Sequence, residues 1–390
     1  MKLASNTKVR LLGTCLAASG ACFLISVNTV GRAQAVPGLS SSSNVKEVVK
    51  LLKNYSGTNA ANIYQIEQDL RRHPNESAEA LVNVLDTNDP ELKKHASQLL
   101  QRLSFNGQDF TLSDSSIKTL IGILKASDDS EVQSSLVQTL GNLGPKSDSI
   151  KQAIIDTLKT SPEVSVRRTA VDSLARLAHE ERPALHEAST AILVDVLKHD
   201  DSAAVRAAAA GAMGSYRDNP AVAVPALSEA LNDNYLTVRT RVAQSLGQYG
   251  PSAKAAVEKL VGALKSESDS NMRSSCMNAL RQIDPENEIV IKELANLLSD
   301  PNQMVSQSAL MQVYNIGPKG AALVPKLIEI LKSGTRYNRA SAARALGNMG
   351  SAASAAIPAL TQASEDADVS LRHAAQQALR QIQPPTSASN

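Results

Sequence analysis

The stretch VRTRVAQSLGQYGP, which begins at Val238 and ends at Pro251, carries the pattern that decides the fold. Val238, Val242, Leu246 and Tyr249 recur every three or four residues, and this spacing places them on one face of an α-helix. The Gly-Pro pair that follows ends the helix, because glycine adopts the left-handed backbone that closes a helix and proline cannot continue it. The stretch is therefore one amphipathic helix with a defined stop.

The same pattern recurs along the chain as VQSSLVQTLGNLGP (132–145) and NRASAARALGNMGS (338–351). The spacing from Arg206 to Arg239 is 33 residues and is nearly constant in the other copies, apart from one longer step from Arg167 to Arg206. A fixed period of this length is typical of a solenoid. The residues that align with Arg239 are Gln133, Arg167, Arg206, Arg273, Ser306, Arg339 and Arg372.

Each repeat is predicted to be a helical hairpin. Its first helix carries leucine pairs four residues apart, such as Leu227/Leu231, and proline stands in or near the first turn, as at Pro225. The second helix carries the stripe described above. We therefore predict an all-α α-solenoid, a superhelical stack of about eight to nine hairpins of 33–34 residues. The extra residues around 179–184 are expected to form a longer loop.

The second helices, with VRTRVAQSLGQYGP, VRRTAVDSLARLA and NRASAARALGNMG, resemble HEAT repeats of the bilin (phycobilisome) lyase type. The resemblance covers about residues 113–383, and residues 76–106 look like one more, degenerate repeat. It implies the α-solenoid fold and a surface for protein partners. It also implies an alternative function, that of a subunit of a bilin-lyase-type enzyme.

The N-terminal segment is predicted to be an export signal. Lys2, Lys8 and Arg10 precede the uncharged residues 11–30, and Ala33-Gln34-Ala35 fits the site of signal peptidase. An uncleaved membrane anchor through residues 11–30 is the alternative, since about twenty apolar residues can span a bilayer. The predicted organisation is 1–35 signal or anchor, 36–44 linker, 45–112 N-terminal helical cap with one degenerate repeat, 113–383 HEAT-repeat array and 384–390 polar tail.

Composition and charge argue against several functional classes. Four of the 40 basic residues lie in segment 1–35, which leaves 36 basic against 38 acidic residues in the remainder. A near-neutral body is a poor partner for nucleic acid, whose binding depends on neutralised phosphates. No catalytic constellation, cofactor motif or metal-ligand spacing is recognised, and Cys276, outside the signal, is interpreted as a buried small residue. We therefore expect no enzyme activity, cofactor, metal or nucleic-acid partner.

The recurring arginine is the first candidate for a functional residue, but we favour a structural role in which it links neighbouring repeats. Each arginine follows an acidic turn residue by a few positions, and a guanidinium can fork onto a carboxylate and onto free carbonyls. In HEAT families such pairs form a ladder between repeats. The predicted ladder consists of Arg167, Arg206, Arg239, Arg273, Arg339 and Arg372 with Asp201, Asp233, Asp269 and Asp366, and Gln133 and Ser306 interrupt it.

Amide side chains form the second candidate. They stand five and nine positions after the arginine, pointing away from the apolar stripe. An amide offers a donor and an acceptor, which suits a peptide backbone, and armadillo arrays use an asparagine ladder similarly. A merely solvated face is the alternative. The candidate partner-binding residues are Gln138, Asn142, Gln244, Gln248, Asn278, Gln282, Asn315, Asn348, Gln377 and Gln381.

The leading functional prediction is a non-enzymatic interaction scaffold, exported from a bacterial cytoplasm. It would bind a polypeptide partner on the concave face of the solenoid. The expected location is periplasmic or secreted, with contact to a membrane only if the N-terminal segment stays uncleaved. The bilin-lyase alternative would act on a chromophore or an antenna protein.

Overall fold

The computed structural model describes residues 48–50, 52, 66–105, 111–144, 147–180, 183–217 and 219–383, and all regular structure in these ranges is helical. The described residues belong to one unit, Gly38–Asn390. The predicted signal or anchor (1–35), the linker (36–44) and the polar tail (384–390) lie outside the described residues.

The helices from residue 74 onward are numbered α1 to α18, and odd and even numbers are the first and second helices of successive hairpins. Their bounds are α1 Pro74–Leu85, α2 Pro90–Phe105, α3 Asp114–Ala126, α4 Ser130–Asn142, α5 Asp148–Thr160, α6 Val164–Glu180, α7 Pro183–His199, α8 Ala203–Tyr216, α9 Pro220–Ala230, α10 Leu236–Gln248, α11 Val257–Ser266, α12 Ser270–Ile283, α13 Glu288–Leu297, α14 Gln303–Ile316, α15 Val324–Ser333, α16 Arg336–Asn348, α17 Ile357–Ala363 and α18 Val369–Ile382. Nine hairpins result, with α1 and α2 at the position of the degenerate repeat.

The predicted apolar faces form the core. Val238, Val242 and Leu246 of α10 are fully buried, and so are Leu227 of α9 and Leu231, which directly follows α9. Burial of each such side chain stabilises the fold by about 1.5–3 kcal/mol. A single hairpin would leave part of this apolar surface exposed, so the hairpins stack and bury it between neighbours. The all-α solenoid prediction is confirmed.

The hairpins stack in two layers. Most first helices contact the neighbouring first helix or the 3₁₀ segment that leads into it, and every second helix contacts the next second helix. The second helices approach one another more closely than the first helices do. A stack curves toward its more tightly spaced layer, so the second helices line the inner side. We call the exposed surface of the second helices the concave face.

Polar caps and glycine stops set the ends of the second helices. The Asp129 carboxylate accepts hydrogen bonds from the backbone N–H groups of Glu131 and Val132, at 2.8 and 3.0 Å, and thereby caps α4. At the other end, Gly250 and Gly317 have φ of 54° and 62°, a backbone that favours glycine. Short 3₁₀ segments follow, such as Gly250–Ala256, and lead into the next first helix.

Two local expectations were wrong. The extra residues near 179–184 do not make a long loop: α6 and α7 are each extended to 17 residues, and only 181–182 fall between them. Pro183 stands at the first position of α7, where proline is tolerated, so the extra residues lengthen the two helices. Pro225 lies inside α9, whose first residue is Pro220.

In the part of the chain that the structure describes, no helix is both long and apolar enough to cross a membrane. The candidate anchor, residues 11–30, falls outside that part.

Candidate functional site on the concave face

Arg206 of α8 shows how the recurring arginine works. Its Nε donates to Oδ2 of Asp233 at 2.7 Å, and its Nη2 donates to Oδ1 at 3.0 Å. Its Nη1 donates to the carbonyl oxygens of Asp200 and Asp201, at 2.8 and 3.2 Å. The guanidinium therefore ties the turn of its own repeat to the turn of the next repeat, and it also lies 5.4 Å from the centre of the Tyr235 ring.

The same arrangement continues along the stack. In every case the arginine lies on a second helix and the acid lies in the turn of the following repeat. The pairs are Arg167 with Asp200 and Asp201, Arg206 with Asp233, Arg239 with Glu267, Arg273 with Asp300 and Arg339 with Asp366. Arg372, in the last repeat, donates to the carbonyl oxygens of Asp366 and Ala367 instead.

The structure corrects one member of the predicted ladder. Asp269 contacts no arginine of the ladder; its carboxylate accepts from the backbone N–H groups of Asn271 and Met272 and caps α12. Arg239 instead pairs with Glu267, because Glu267 points back along the turn toward the preceding repeat. Asp200, Glu267 and Asp300 are the ladder acids that the sequence pattern did not identify.

Three of the ladder carboxylates, Asp200, Asp233 and Glu267, are held in the charged form by a lowered pKa. Burial alone would raise the pKa of Asp233, but the hydrogen bonds from Arg206 and from the backbone N–H of Tyr235 outweigh it. The pKa of Asp233 is therefore lowered, and those of Asp200 and Glu267 are lowered by the same balance. At Ser306 the arginine is missing, and its hydroxyl oxygen accepts only a 3.4 Å hydrogen bond from the amide of Asn338.

Glycines eight positions after the ladder arginine allow the second helices to touch. A methyl group on Gly247 would lie 3.0 Å from Cα of Ala279, and one on Gly347 would lie 2.8 Å from Cα of Ala378. These distances are shorter than carbon–carbon contact, so the neighbouring helix occupies the space that a side chain would need. The recurring glycines serve close helix packing.

The two rows of candidate amides have different surroundings. The row at nine positions leans on the preceding repeat: Asn348 donates to the carbonyl of Tyr314 at 2.6 Å, and Gln248 and Gln282 lie over the small residues Gly214 and Gly247. In that row, Gln381 lies over Gly347 in the same way, Asn142 is bonded to both Ser104 and Arg176, and Asn315 is exposed.

The row at five positions is more open. Gln244 and Gln377 are exposed and form no hydrogen bond to another described residue, whereas Gln138 is bonded to Gln101 and Asn278 accepts from Gln312 at 2.7 Å. The free donors and acceptors of the concave face therefore concentrate between α10 and α18. Asp172 of α6 interrupts the row, and desolvation raises its pKa even though three arginines surround it.

A cavity of about 530 Å³ opens on the concave face where α12, α14 and α16 meet. Four of its lining side chains are large, apolar or aromatic, and exposed: Met304 (64%), Met311 (60%), Tyr337 (58%) and Tyr314 (43%). Arg344 of α16 completes the wall. An exposed apolar cluster of this kind on a rigid scaffold is typical of a binding site.

Charge on the concave face is one-sided. The second helices from α8 to α18 contain no Asp or Glu, so acids along this part of the array lie in turns and first helices. Ladder acids neutralise several of the arginines and Arg241 lies in the field of Asp172, but Arg344 and Arg380 have no carboxylate partner among the described residues. The open part of the concave face is therefore positive.

The described residues offer little for catalysis. No group of three or more His, Cys, Asp or Glu side chains within them could hold a metal ion. Cys276 is buried, and burial raises the pKa of its thiol to about 12, so it supplies no thiolate near neutral pH.

Taken together, the repeated hairpins define an α-solenoid whose second helices form one continuous face. A profile described as HEAT repeats matches residues 117–210, 151–247, 190–281 and 291–380, which together exceed half of the chain. The chain belongs to the HEAT-repeat family. Comparison with curated proteins finds none whose sequence matches.

Solved structures share the fold. An engineered protein is 23% identical with a TM-score of 0.50, covering 89% of this chain and 97% of that one. Importin beta is 15% identical with a TM-score of 0.58, covering 86% of this chain and 53% of its own. The karyopherin Kap121p, bound to the extreme C-terminus of the protein phosphatase Cdc14p, is 13% identical with a TM-score of 0.54, covering 87% and 42%. The chain thus spans about half of the karyopherin chains it resembles.

Proposed function

We propose that this protein is a non-enzymatic scaffold that binds an extended polypeptide segment along its concave face. The observation that carries the proposal is the set of exposed amides on acid-free second helices, from Gln244 on α10 to Gln381 on α18. Their free donors and acceptors match those of an extended peptide backbone. Kap121p, a protein of the same fold, holds a polypeptide terminus in its solved structure, which adds support.

We extend the proposal to location: the scaffold is exported and acts outside the cytoplasm, in the periplasm or beyond it. Lys2, Lys8 and Arg10 ahead of an uncharged apolar stretch, with Ala33-Gln34-Ala35 after it, support export. Intact mass of the protein from its native fractions tests this point. A mass beginning at Val36 is expected, whereas a mass beginning at Met1 in the cytoplasmic fraction would contradict export.

Binding is tested by selecting a displayed library of random peptides on the full chain. A length of about 12 residues suits the site, since such a segment extends about 40 Å and crosses four helices packed about 10 Å apart. Enriched peptides are then titrated against the variant Gln244→Ala/Gln248→Ala/Asn278→Ala/Gln282→Ala. The matched control, Lys259→Ala/Lys292→Ala/Gln362→Ala, changes exposed residues of first helices.

We expect the concave variant to lose most of its affinity and the control variant to keep it, with both retaining the helical signal of the parent. Equal affinity of the two variants would contradict a concave binding site. Should the purified protein instead change the absorbance of an added bilin, the lyase-type alternative would take the place of this proposal.

A further inference from the structure

We propose that the cavity between α12, α14 and α16 is the anchor pocket that selects the partner. It takes a segment in which a bulky apolar residue is accompanied by an acidic residue two positions away. The apolar side chain enters among Met304, Met311, Tyr314 and Tyr337, and the carboxylate pairs with Arg344. This inference rests on the proposed function, since it assumes that the concave face holds a polypeptide.

The cavity exists because two successive repeats depart from the glycine row. Where other second helices carry Gly214, Gly247 or Gly347, α12 carries Arg281 and α14 carries Tyr314. Arg281 donates to Oε1 of Gln312 on the following second helix at 2.7 Å, and Tyr314 lines the cavity together with Tyr337 and Arg344 of α16. They hold α14 away from both neighbours, and α14 packs less closely there than the other second helices do.

The lining suits a large apolar side chain. Methionine is flexible and polarisable and adapts to the shape of an inserted group, and tyrosine offers a flat apolar ring with a polar edge. A volume of about 530 Å³ is within the range of ligand pockets and holds one side chain together with its backbone. Because Met304 and Met311 are largely exposed in the free protein, covering them on binding releases water from apolar surface.

Arg344 supplies the charge requirement. It is exposed on the cavity wall, and no carboxylate of a described residue pairs with it, in contrast to Arg339 one turn earlier, which is paired with Asp366. A guanidinium binds a carboxylate through two parallel hydrogen bonds. In an extended segment, alternate side chains lie on the same side about 7 Å apart. An acid two positions from the anchor therefore reaches the same wall.

The observations favour an acidic polypeptide over a nucleic acid. A phosphate backbone needs many cations along its path, because each neutralised phosphate adds to affinity. Here the unpaired arginines Arg344 and Arg380 are far apart in sequence and stand among amides and thioethers. A single unpaired arginine beside an apolar pocket suits a polypeptide segment that carries one acidic residue near one apolar residue.

The experiment uses peptides enriched on the full chain, labelled with fluorescein and measured by fluorescence anisotropy. Arg344→Gln and Met311→Ser test the pocket, and Arg380→Gln is the matched control, the same change at another unpaired arginine of the second helices. All three positions are exposed or lack packed partners, and circular dichroism verifies folding. A companion peptide has Asn or Gln in place of its acid.

We expect the enriched peptides to share the apolar and acidic pair. Arg344→Gln weakens their binding about tenfold or more, as loss of one charged hydrogen-bonded contact does, and Arg380→Gln changes it less than about twofold. The companion peptide binds the parent and Arg344→Gln equally. Met311→Ser weakens both peptides.

Three results overturn the inference. If the concave amide variant weakens binding while Arg344→Gln and Met311→Ser do not, the pocket is wrong and the proposed function stands. If no peptide is enriched above a surface without protein, the proposed function itself falls. If a labelled oligodeoxythymidine binds and displaces the peptides, the class of partner is wrong.

Discussion

Replacing Arg206 by alanine measures what the ladder contributes to the array. The change removes both hydrogen bonds to Asp233 and both to the carbonyl oxygens of Asp200 and Asp201. The side chains of Arg206 and Asp233 are only 12% and 11% exposed, so the remaining carboxylate is left buried without its cation. We expect the free energy of unfolding to fall by about 3–5 kcal/mol, the usual cost of breaking a buried ion pair.

A pair with an exposed arginine provides the comparison. Arg336 is 81% exposed and donates to Asp368, which is only 10% exposed but still accepts a hydrogen bond from the backbone N–H of Ser370 when Arg336 is removed. We expect a much smaller loss of unfolding free energy than for Arg206→Ala. The contrast isolates burial of the arginine, because both changes remove an arginine that pairs with a largely buried aspartate of the next repeat.

The effect of Arg206→Ala depends on pH in a defined direction. The pKa of Asp233 is lowered in the folded protein, so its pair stabilises the fold above the ordinary carboxyl pKa of about 4. The stabilisation is lost as the pH falls through the lowered pKa of the folded state. The difference in unfolding free energy between the parent and Arg206→Ala is therefore largest near pH 7 and becomes smaller below about pH 4.

Urea unfolding followed by circular dichroism measures both quantities, and a double-mutant cycle with Asp233→Ala isolates the pair. We expect a coupling energy of about 1.5–3 kcal/mol at neutral pH. Hydrogen exchange of α8 and α10 amides locates the loss, since repeat arrays can open in parts. A coupling energy near zero, or an equal loss in Arg336→Ala, would refute the ladder as a buried, stabilising network.

Three other changes test packing, chemistry and the cavity. Gly347→Ala is expected to lower the free energy of unfolding by about 1–3 kcal/mol, because its methyl would lie 2.8 Å from Cα of Ala378. Gly262→Ala has open space around it and is expected to raise the free energy of unfolding by about 0.5–1 kcal/mol. Thermal unfolding compares the two variants. Iodoacetamide is expected to leave Cys276 unmodified in the folded protein at pH 8 and to alkylate it in urea, as read by mass spectrometry, because burial raises its pKa to about 12. Tyr314→Gly is expected to let α14 approach α16 and so to close the cavity. Small-angle scattering measures the change in shape, and anisotropy measures the expected loss of peptide binding. Unchanged peptide binding would count against the cavity as the binding site.

Much of the fold is predictable from the sequence because the same helical pattern recurs in eight successive segments of the chain. Val238, Val242 and Leu246 recur at helical spacing, and a glycine stop follows, so helix, face and end are all specified locally. Stacking follows, since no single hairpin covers its apolar side. The expectation of a long loop near 179–184 was wrong, because the extra residues lengthen two helices instead. The intrinsic helix propensities of the residues there are too weak a signal to distinguish a loop from a helix.

The site was less accessible to sequence reasoning. Which acid of a turn meets the arginine depends on turn geometry, and so Glu267 was missed and Asp269 was assigned wrongly. The cavity was missed because Met304 and Tyr314 look like ordinary helix residues until the facing helix is known. A usable signal was present: Arg281 and Tyr314 replace the recurring glycine in two successive repeats.

Site-specific photo-cross-linking tests the central claim most directly. p-Benzoyl-phenylalanine replaces Met311 in the cavity of the full chain, and the same residue replaces Lys292 on a first helix as the control. Each protein is irradiated with an enriched peptide, and mass spectrometry locates the bond. The account predicts a cross-link from position 311 to the apolar residue beside the acid, and none from position 292. Cross-links of equal yield from both positions, or from position 292 alone, would contradict a polypeptide site on the concave face.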